Sequence, residues 1–234
     1  MAVNFTSQEI SQKYDQFARW YDWVEGVPNV LGVSRLRRRL LRRASGNVLE
    51  VAVGTGKNLR FYQRDCRIVA ADVSAEMLNV ARKRAEKLSM DVSFLLADAE
   101  ALPFPDKSFD TVVSSLTTCT FPDPVAALQE MARVCRSDGR ILLLEHGRSN
   151  CEWLGRFQDR TADRLAKQLG CHWNRESLEL VRKANLEVNA ARRFSSEFFI
   201  KSKQNPVRAE RKIEHIKKVA RRKFLPEPVK TAFV

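Results

Sequence analysis

From residue 47 onward the chain alternates short apolar runs with longer stretches of helical periodicity. The apolar runs fall at residues 48–53, 67–71, 92–96, 111–115 and 140–144. Runs this short and this uniformly apolar predict strands buried on both faces, as in a parallel sheet. Between them, residues 75–88 and 124–135 space their apolar side chains as a helix does, and a further helix is expected after the Gly54-Thr-Gly56 turn. Alternation of strand and helix predicts an α/β fold with helices on both faces of the sheet, and right-handed crossovers place a ligand beyond the carboxyl ends of the central strands.

The flanks read differently. Residues 1–25 predict a helix with Phe17, Trp20, Tyr21 and Val24 on one face, able to pack over the core or cap a pocket. In residues 33–43, Leu36 and Leu40 recur one turn apart among Arg37, Arg38, Arg39, Arg42 and Arg43, which predicts a basic helix docked by a narrow apolar stripe. After the sheet come a helical insertion at 152–170 and a helix at 177–184. Strand candidates at 187–193 and 198–203 suit an antiparallel edge hairpin, giving seven strands in all. Residues 208–224, dense in Arg and Lys, predict a basic C-terminal helix ahead of Pro226 and Pro228. The expected organisation is a helical cap with a basic helix at 1–46, a ligand-binding domain at 47–204 and a basic extension at 205–234.

Composition narrows the classes. At 234 residues and 44% hydrophobic content the chain can bury one substantial core. No apolar run approaches the roughly 20 residues a transmembrane helix needs, and Glu9 and Asp15 set the N-terminus apart from signal and transit peptides. The formal charge of +13 and a pI near 9.9 favour a polyanion, either an anionic membrane surface or RNA, met by the two basic helices. The five cysteines, at 66, 119, 135, 151 and 171, form no C-x-x-C pair. That spacing argues against a disulfide framework and against a metal site, and suits a reducing compartment.

The chemistry is concentrated at the ends of three strands. Val48-Leu-Glu-Val-Ala-Val-Gly-Thr-Gly-Lys-Asn58 is a buried strand entering a tight turn, where Gly54 and Gly56 admit close approach of a ligand to backbone. Asp72 ends the second strand at the distance where a carboxylate accepts both hydroxyls of a ribose, and Asp98 ends the third, facing an adenine amino group. The G-x-G-x-x-G register that seats a pyrophosphate is absent, so a nucleoside without phosphates fits better than a dinucleotide.

The first of these segments resembles the opening motif of class I S-adenosylmethionine-dependent methyltransferases. Asp98-Ala-Glu-Ala-Leu-Pro-Phe-Pro-Asp-Lys-Ser-Phe-Asp110 resembles their ubiquinone/menaquinone methyltransferase-like (type 11) group, and the likeness extends over roughly residues 14–204. Tyr14-Asp15 and Tyr21-Asp22 are similar to the helix that closes over the cofactor in that family. Leu143-Leu-Glu-His-Gly-Arg148 with Gly170-Cys-His-Trp-Asn-Arg175 looks most similar to mitochondrial methyltransferase-like proteins of fungi and protists, which implies a mitochondrial location. The resemblance implies a Rossmann-like, doubly wound fold. It also implies S-adenosylmethionine bound by Tyr21, Glu50, Ala52, Gly54, Thr55, Gly56, Asn58, Asp72, Val73, Met77, Asp98, Ala99 and Ser115, and an acceptor pocket lined by Thr117, Thr118, Cys119 and His172. Two positions depart from the pattern. Ala52 replaces the usual first glycine of the loop, and Ser137-Asp138-Gly139 replaces a Pro-Gly-Gly turn.

His146, directly after the fifth strand, is the candidate catalytic base, because imidazole titrates near neutrality. Ser115-Leu-Thr-Thr-Cys-Thr120 lacks the N-P-P-Y-like tetrad of adenine amino-methyltransferases. The acceptor is then expected to be small and hydrophobic, a quinone precursor or a lipid. The alternative is an RNA- or ribonucleoprotein-binding assembly factor on a methyltransferase fold, with little or no catalysis.

Overall fold

The computed structural model describes residues 5–24, 32–188, 190–194 and 197–201. Side-chain environments within it cover residues 5–16, 18 and 32–188. The expected basic C-terminal helix, with Arg211, Lys212, Lys217, Lys218, Arg221, Arg222 and Lys223, lies outside the described residues, as do the side chains of Phe17, Trp20, Tyr21 and Val24.

Two helices lead in, α1 (Ser7–Val24) and α2 (Ser34–Leu41). They are followed by β1 (Asn47–Val51), β2 (Arg67–Asp72), α3 (Ala75–Lys87), β3 (Val92–Leu96) and β4 (Phe109–Ser115). The rest comprises α4 (Pro124–Val134), β5 (Cys135–His146), α5 (Glu152–Leu169), α6 (Ser177–Lys183), β6 (Ala190–Phe194) and β7 (Glu197–Lys201). The sheet runs β3-β2-β1-β4-β5-β7-β6. The first five of these are mutually parallel, whereas β7 pairs antiparallel with both β5 and β6. The order reverses beside β1: β2 lies on one side and β4 on the other, which opens a crevice beyond their carboxyl ends.

The period of two sorts the apolar strand residues onto two faces. Leu49, Val51, Val112, Ile141 and Leu143 pack with Leu128 and Met131 of α4 and Val181 of α6. Val48, Ile68, Val113, Leu142 and Leu144 meet Leu40 and Leu41 of α2 and Ala85 of α3 on the other face. Local signals stop and start the helices. The Ser74 hydroxyl accepts from the Met77 amide to open α3, and Asp123 with Pro124 opens α4. Gly170, at φ +70°, ends α5. No helix among the described residues is long and apolar enough to cross a membrane.

Several expectations need correction. The segment after β1 forms only a three-residue helical turn, Leu59–Phe61, and not a full helix. Tyr62 turns extended there, with ψ 150°, and its hydroxyl donates to the buried Glu50 carboxylate. β5 begins at Cys135, so Ser137-Asp138-Gly139 belongs to the strand and α4 is one residue shorter than its periodicity suggests. β6 starts at Ala190 and not at 187, and residues 202 and 203 of the last strand candidate lie outside the described residues.

Arg37 is not a surface residue. It sits three and four positions before Leu40 and Leu41, shares their inward face and is 6% exposed. Its guanidinium donates to Asn58 Oδ1 at 2.8 Å. Arg38, Arg39, Arg42 and Arg43 are exposed.

Candidate active site

A cleft opens beyond the carboxyl ends of β1, β2 and β4. Ala52, Gly54, Asp72, Val73, Met77, Asp98, Ala99 and Thr117 all line it, together with Ser7, Ile10 and Tyr14 of α1. The loop after β1 turns on positive φ angles at Ala52 (54°), Gly54 (55°) and Gly56 (77°). The two glycines have different reasons to be glycine. A Cβ on Gly54 would meet nothing within 4 Å, so this position keeps the cleft open to a ligand. A Cβ on Gly56 would fall 2.9 Å from Leu59 Cδ1 and 3.2 Å from Ala81 Cβ, so that position is closed by packing.

Ala52 holds the same left-handed conformation with a Cβ, at a cost of roughly 1 to 2 kcal/mol. Glycine loses about 0.5 to 1 kcal/mol more backbone entropy on folding. The expected result for Ala52→Gly is therefore a gain of up to about 1 kcal/mol, measured by urea denaturation.

Asp72 joins the loop to the next strand end. Its Oδ2 accepts from the Gly54 amide at 2.8 Å and its Oδ1 from the Ser74 amide at 2.9 Å. Burial pushes its pKa up to about 6 against the pull of these backbone donors. The Asp98 carboxylate accepts from the Glu100 amide at 2.9 Å, an Asx turn that fixes its orientation at the cleft wall. α1 closes the opposite wall. Ser11 donates to the Val73 carbonyl at 2.9 Å, and Asp15 accepts from the Ser74 hydroxyl at 2.5 Å and the Glu76 amide at 3.2 Å.

Glu50, Asn58 and Ser115 are buried and are not among the residues that line the cleft. Glu50 is 2% exposed and accepts from Asn58 Nδ2 and the Tyr62 hydroxyl, each at 2.8 Å; Asn58 also donates to Ser115 Oγ at 3.1 Å. Burial raises Glu50 to about 7, opposed by those donors and by Arg37. This network holds the loop from below. Thr55 and Gly56 are buried and also outside the cleft lining, and the side chain of Tyr21 is outside the described residues.

The predicted acceptor residues divide. Thr117 reaches the cleft. Thr118 is buried with its hydroxyl unbonded among the described residues, and its amide and that of Thr117 both donate to Glu145, at 3.1 to 3.3 Å. Glu145, fully buried at the end of β5, is pushed up to about 7 by burial, with His146 and the two threonines opposing.

His146 is not among the residues that line the cleft, and its Nε2 lies 3.9 Å from Cys171 Sγ. Burial lowers its basicity, but Cys171 and Glu145 outweigh this and raise its pKa. Cys119 is buried beside the same pair. The hydrogen bond from Cys119 holds the Cys171 thiol well below the ordinary thiol value, while Cys119 itself is pushed up. The spacing argument against a metal-ligand set therefore fails once the chain folds. His172 lines a small hollow with Phe5, Gly170 and Arg175 that shares Thr120, Phe121 and Pro122 with the main cleft.

The family described as methyltransferase domain matches residues 49–143. The ubiquinone/menaquinone biosynthesis C-methyltransferase of Cellvibrio japonicus is 30% identical over 179 residues, covering 72% of each chain. This chain belongs to the S-adenosylmethionine-dependent methyltransferase family. The mitochondrial methyltransferase OMS1 of Saccharomyces cerevisiae is 29% identical over 202 residues, 78% of this chain; the chain spans 43% of that protein's length. A solved S-adenosylmethionine-dependent methyltransferase from Thermotoga maritima superposes with a TM-score of 0.59 at 25% identity, covering 76% of this chain and 81% of its own.

In this chain the cleft residues that sequence reasoning missed are mostly apolar. Leu102, Leu116, Phe121 and Pro122 line the cleft beyond Asp98 and Thr117. Apolar loop residues look alike whether they line a cleft or a core, and only Leu116, at φ +61°, has an unusual backbone. Glu145 did carry a signal: it is a lone carboxylate at the end of the apolar run Ile141-Leu-Leu-Leu144.

Proposed function

We propose that this chain transfers the methyl group of S-adenosylmethionine to a small hydrophobic acceptor of the quinone-precursor or lipid class. The observation that carries this reading is the mixed lining of one cleft, in which the Asp72 and Asp98 carboxylates and the bare Gly54 backbone stand together with the apolar Leu102, Leu116, Phe121 and Pro122. In this reading the Asp72 carboxylate accepts the ribose hydroxyls, Asp98 accepts the adenine amino group, and Val73, Met77 and Ala99 enclose the adenine. Gly54 gives the methionine moiety its approach, while Glu50, Thr55, Gly56, Asn58 and Ser115 hold the loop. Thr117 positions the acceptor, with Thr118 and Cys119 behind it.

The acceptor atom attacks the methyl carbon as the bond from that carbon to sulfur breaks, and the sulfonium leaves as a neutral thioether. Positioning supplies most of the acceleration. With an anionic acceptor the two charges cancel along the reaction, so a cleft of low polarity closed by α1 suits it. Incubation with methyl-labelled S-adenosylmethionine and, separately, a quinol and a phospholipid is the test. Label in either supports the reading; cofactor binding with label in neither, at any pH from 6 to 9, overturns the acceptor class.

Such acceptors reside in membranes. Arg38, Arg39, Arg42 and Arg43 on the outer face of α2, and the exposed Trp153 and Phe157 one turn apart on α5, support a peripheral contact with an anionic surface. An arginine near such a surface is worth about 1 kcal/mol. Each Arg→Ser change at these four positions is expected to weaken partitioning to anionic vesicles about fivefold, read by sedimentation. Unchanged partitioning, or a loss seen only with RNA, would reassign this surface. The likeness to OMS1 supports a mitochondrial location, which imaging of the tagged chain tests.

A further inference from the structure

Three residues unrelated by any spacing in the sequence converge next to the acceptor end of the cleft. Cys119 lies in the turn after β4, His146 ends β5, and Cys171 follows α5. One ligand atom from each lies within 4.8 Å of the others, and Cys171 Sγ is 3.9 Å from His146 Nε2. We propose that Cys119, His146 and Cys171 form a binding site for a thiophilic divalent cation of the Zn²⁺ type, with two thiolate sulfurs and one imidazole nitrogen as ligands.

The donor set selects the ion. Two sulfurs and an imidazole suit Zn²⁺ and are foreign to Mg²⁺ and Ca²⁺, which take oxygen. The distances suit it as well. With Zn–S near 2.3 Å and Zn–N near 2.0 Å, a tetrahedral site separates sulfur from nitrogen by about 3.5 Å and sulfur from sulfur by about 3.8 Å. A shift of a few tenths of an ångström takes the observed Cys171–His146 pair to that spacing.

The surroundings hold the ligands in place. The His172 amide donates to the Cys119 carbonyl at 2.8 Å, and the Ser177 hydroxyl to the His146 carbonyl at 3.2 Å, so the ligand-bearing segments are already tied together by hydrogen bonds. Charge balances too. Each thiol binds as a thiolate after losing its proton to solvent, and two thiolates neutralise a dication in a poorly solvated place.

The ion fastens the segment after α5 to the ends of β4 and β5, against the acceptor side of the cleft. With three protein ligands a fourth position stays open to water or another small ligand, as in catalytic more than in structural zinc sites. His146 is then a metal ligand, and its Nε2 is unavailable as a general base. None of this depends on the methyl-transfer reading.

The test uses the full chain, reduced and stripped of metal, titrated with Co²⁺ as the probe and then with Zn²⁺. The expected result is one equivalent bound, with a sulfur-to-cobalt charge-transfer band and the intense visible bands of a tetrahedral site, both abolished by Zn²⁺. Cys171→Ser and His146→Gln should each weaken the metal by more than the roughly 10- to 100-fold that losing only an outer-shell partner costs. Retained binding of S-adenosylhomocysteine shows that the variants fold.

A second measurement needs no variant: Zn²⁺ should shield Cys119 and Cys171 from alkylation, mapped by mass spectrometry, and leave the exposed Cys151 reactive. Three outcomes overturn the site. These are no cobalt spectrum with alkylation unchanged by Zn²⁺, equal metal affinity in the variants, and a Cys119–Cys171 disulfide that persists under reducing preparation.

Discussion

Replacing Asp72 by Ala is expected to weaken S-adenosylmethionine binding by about 1.5 to 3 kcal/mol, roughly 10- to 150-fold, because hydrogen bonds to a charged acceptor fall in that range. Asp72→Asn separates the two jobs of the side chain. It keeps an acceptor for one of the Gly54 and Ser74 amides but has no charge to offer the ribose, so it should retain the fold and still lose most of the affinity.

The carboxylate is also a pH sensor. Its pKa of about 6 in the folded protein stands above the ordinary 3.8, burial being the main cause. A raised carboxylate contributes stability that is fully present below 3.8 and is lost as pH rises through 6. The cofactor-free protein thus carries a strained charge at neutral pH. Hydroxyl donors from a ribose relieve that strain, so affinity should rise between pH 5 and 7 as Asp72 ionises. Calorimetric titration at pH 5, 6 and 7.5 on wild type and Asp72→Asn checks both points. A pH profile identical in the two proteins would remove Asp72 from the cofactor site.

Glu145→Ala is expected to destabilise the fold by about 2 to 4 kcal/mol, since it leaves the buried Thr117 and Thr118 amides without an acceptor, at roughly 1 to 3 kcal/mol each, offset in part by removal of a desolvated charge. Glu145→Gln retains an acceptor oxygen and should lose far less. Burial lifts this carboxyl from 4.5 to about 7, so its stabilising share is present below pH 4.5 and declines as pH rises through 7. The Gln variant cannot ionise and should lack that decline, so its stability relative to wild type improves between pH 5 and 8. Urea denaturation across that range gives the answer; parallel curves for the two proteins would place the titration elsewhere.

The strands whose ends line the cleft were legible in the sequence because each states its role locally. The run that ends at Asp72 is an inner strand, as its apolar character predicts, whereas the run that ends before Asp98 is the half-exposed edge strand, which corrects the expectation that it is buried on both faces. Gly54 and Gly56 were legible as a pair, though not why each is needed, since one faces open space and the other Ala81 of α3. The inward turn of Arg37 was hidden by its neighbours. In a run of arginines the helical phase alone decides which one is buried, and Asn58, twenty-one residues on, supplies the partner that makes burial affordable.

What the sequence determined by itself is the succession of strands and helices, the acidic strand ends that line the cleft and the family, because each rests on residues close together in the chain. What only the tertiary structure decided is which side chains from distant segments face one another. His146 reads as a cleft residue from its position after β5, yet its ring points to Cys171, twenty-five residues later, because the segment after α5 folds back over the strand end. Cys119 and Cys171 are isolated cysteines along the chain and become neighbours for the same reason. Periodicity and propensity act over a turn or a strand, whereas a cluster built from three loops depends on how the whole sheet twists and closes, a condition that no local pattern encodes.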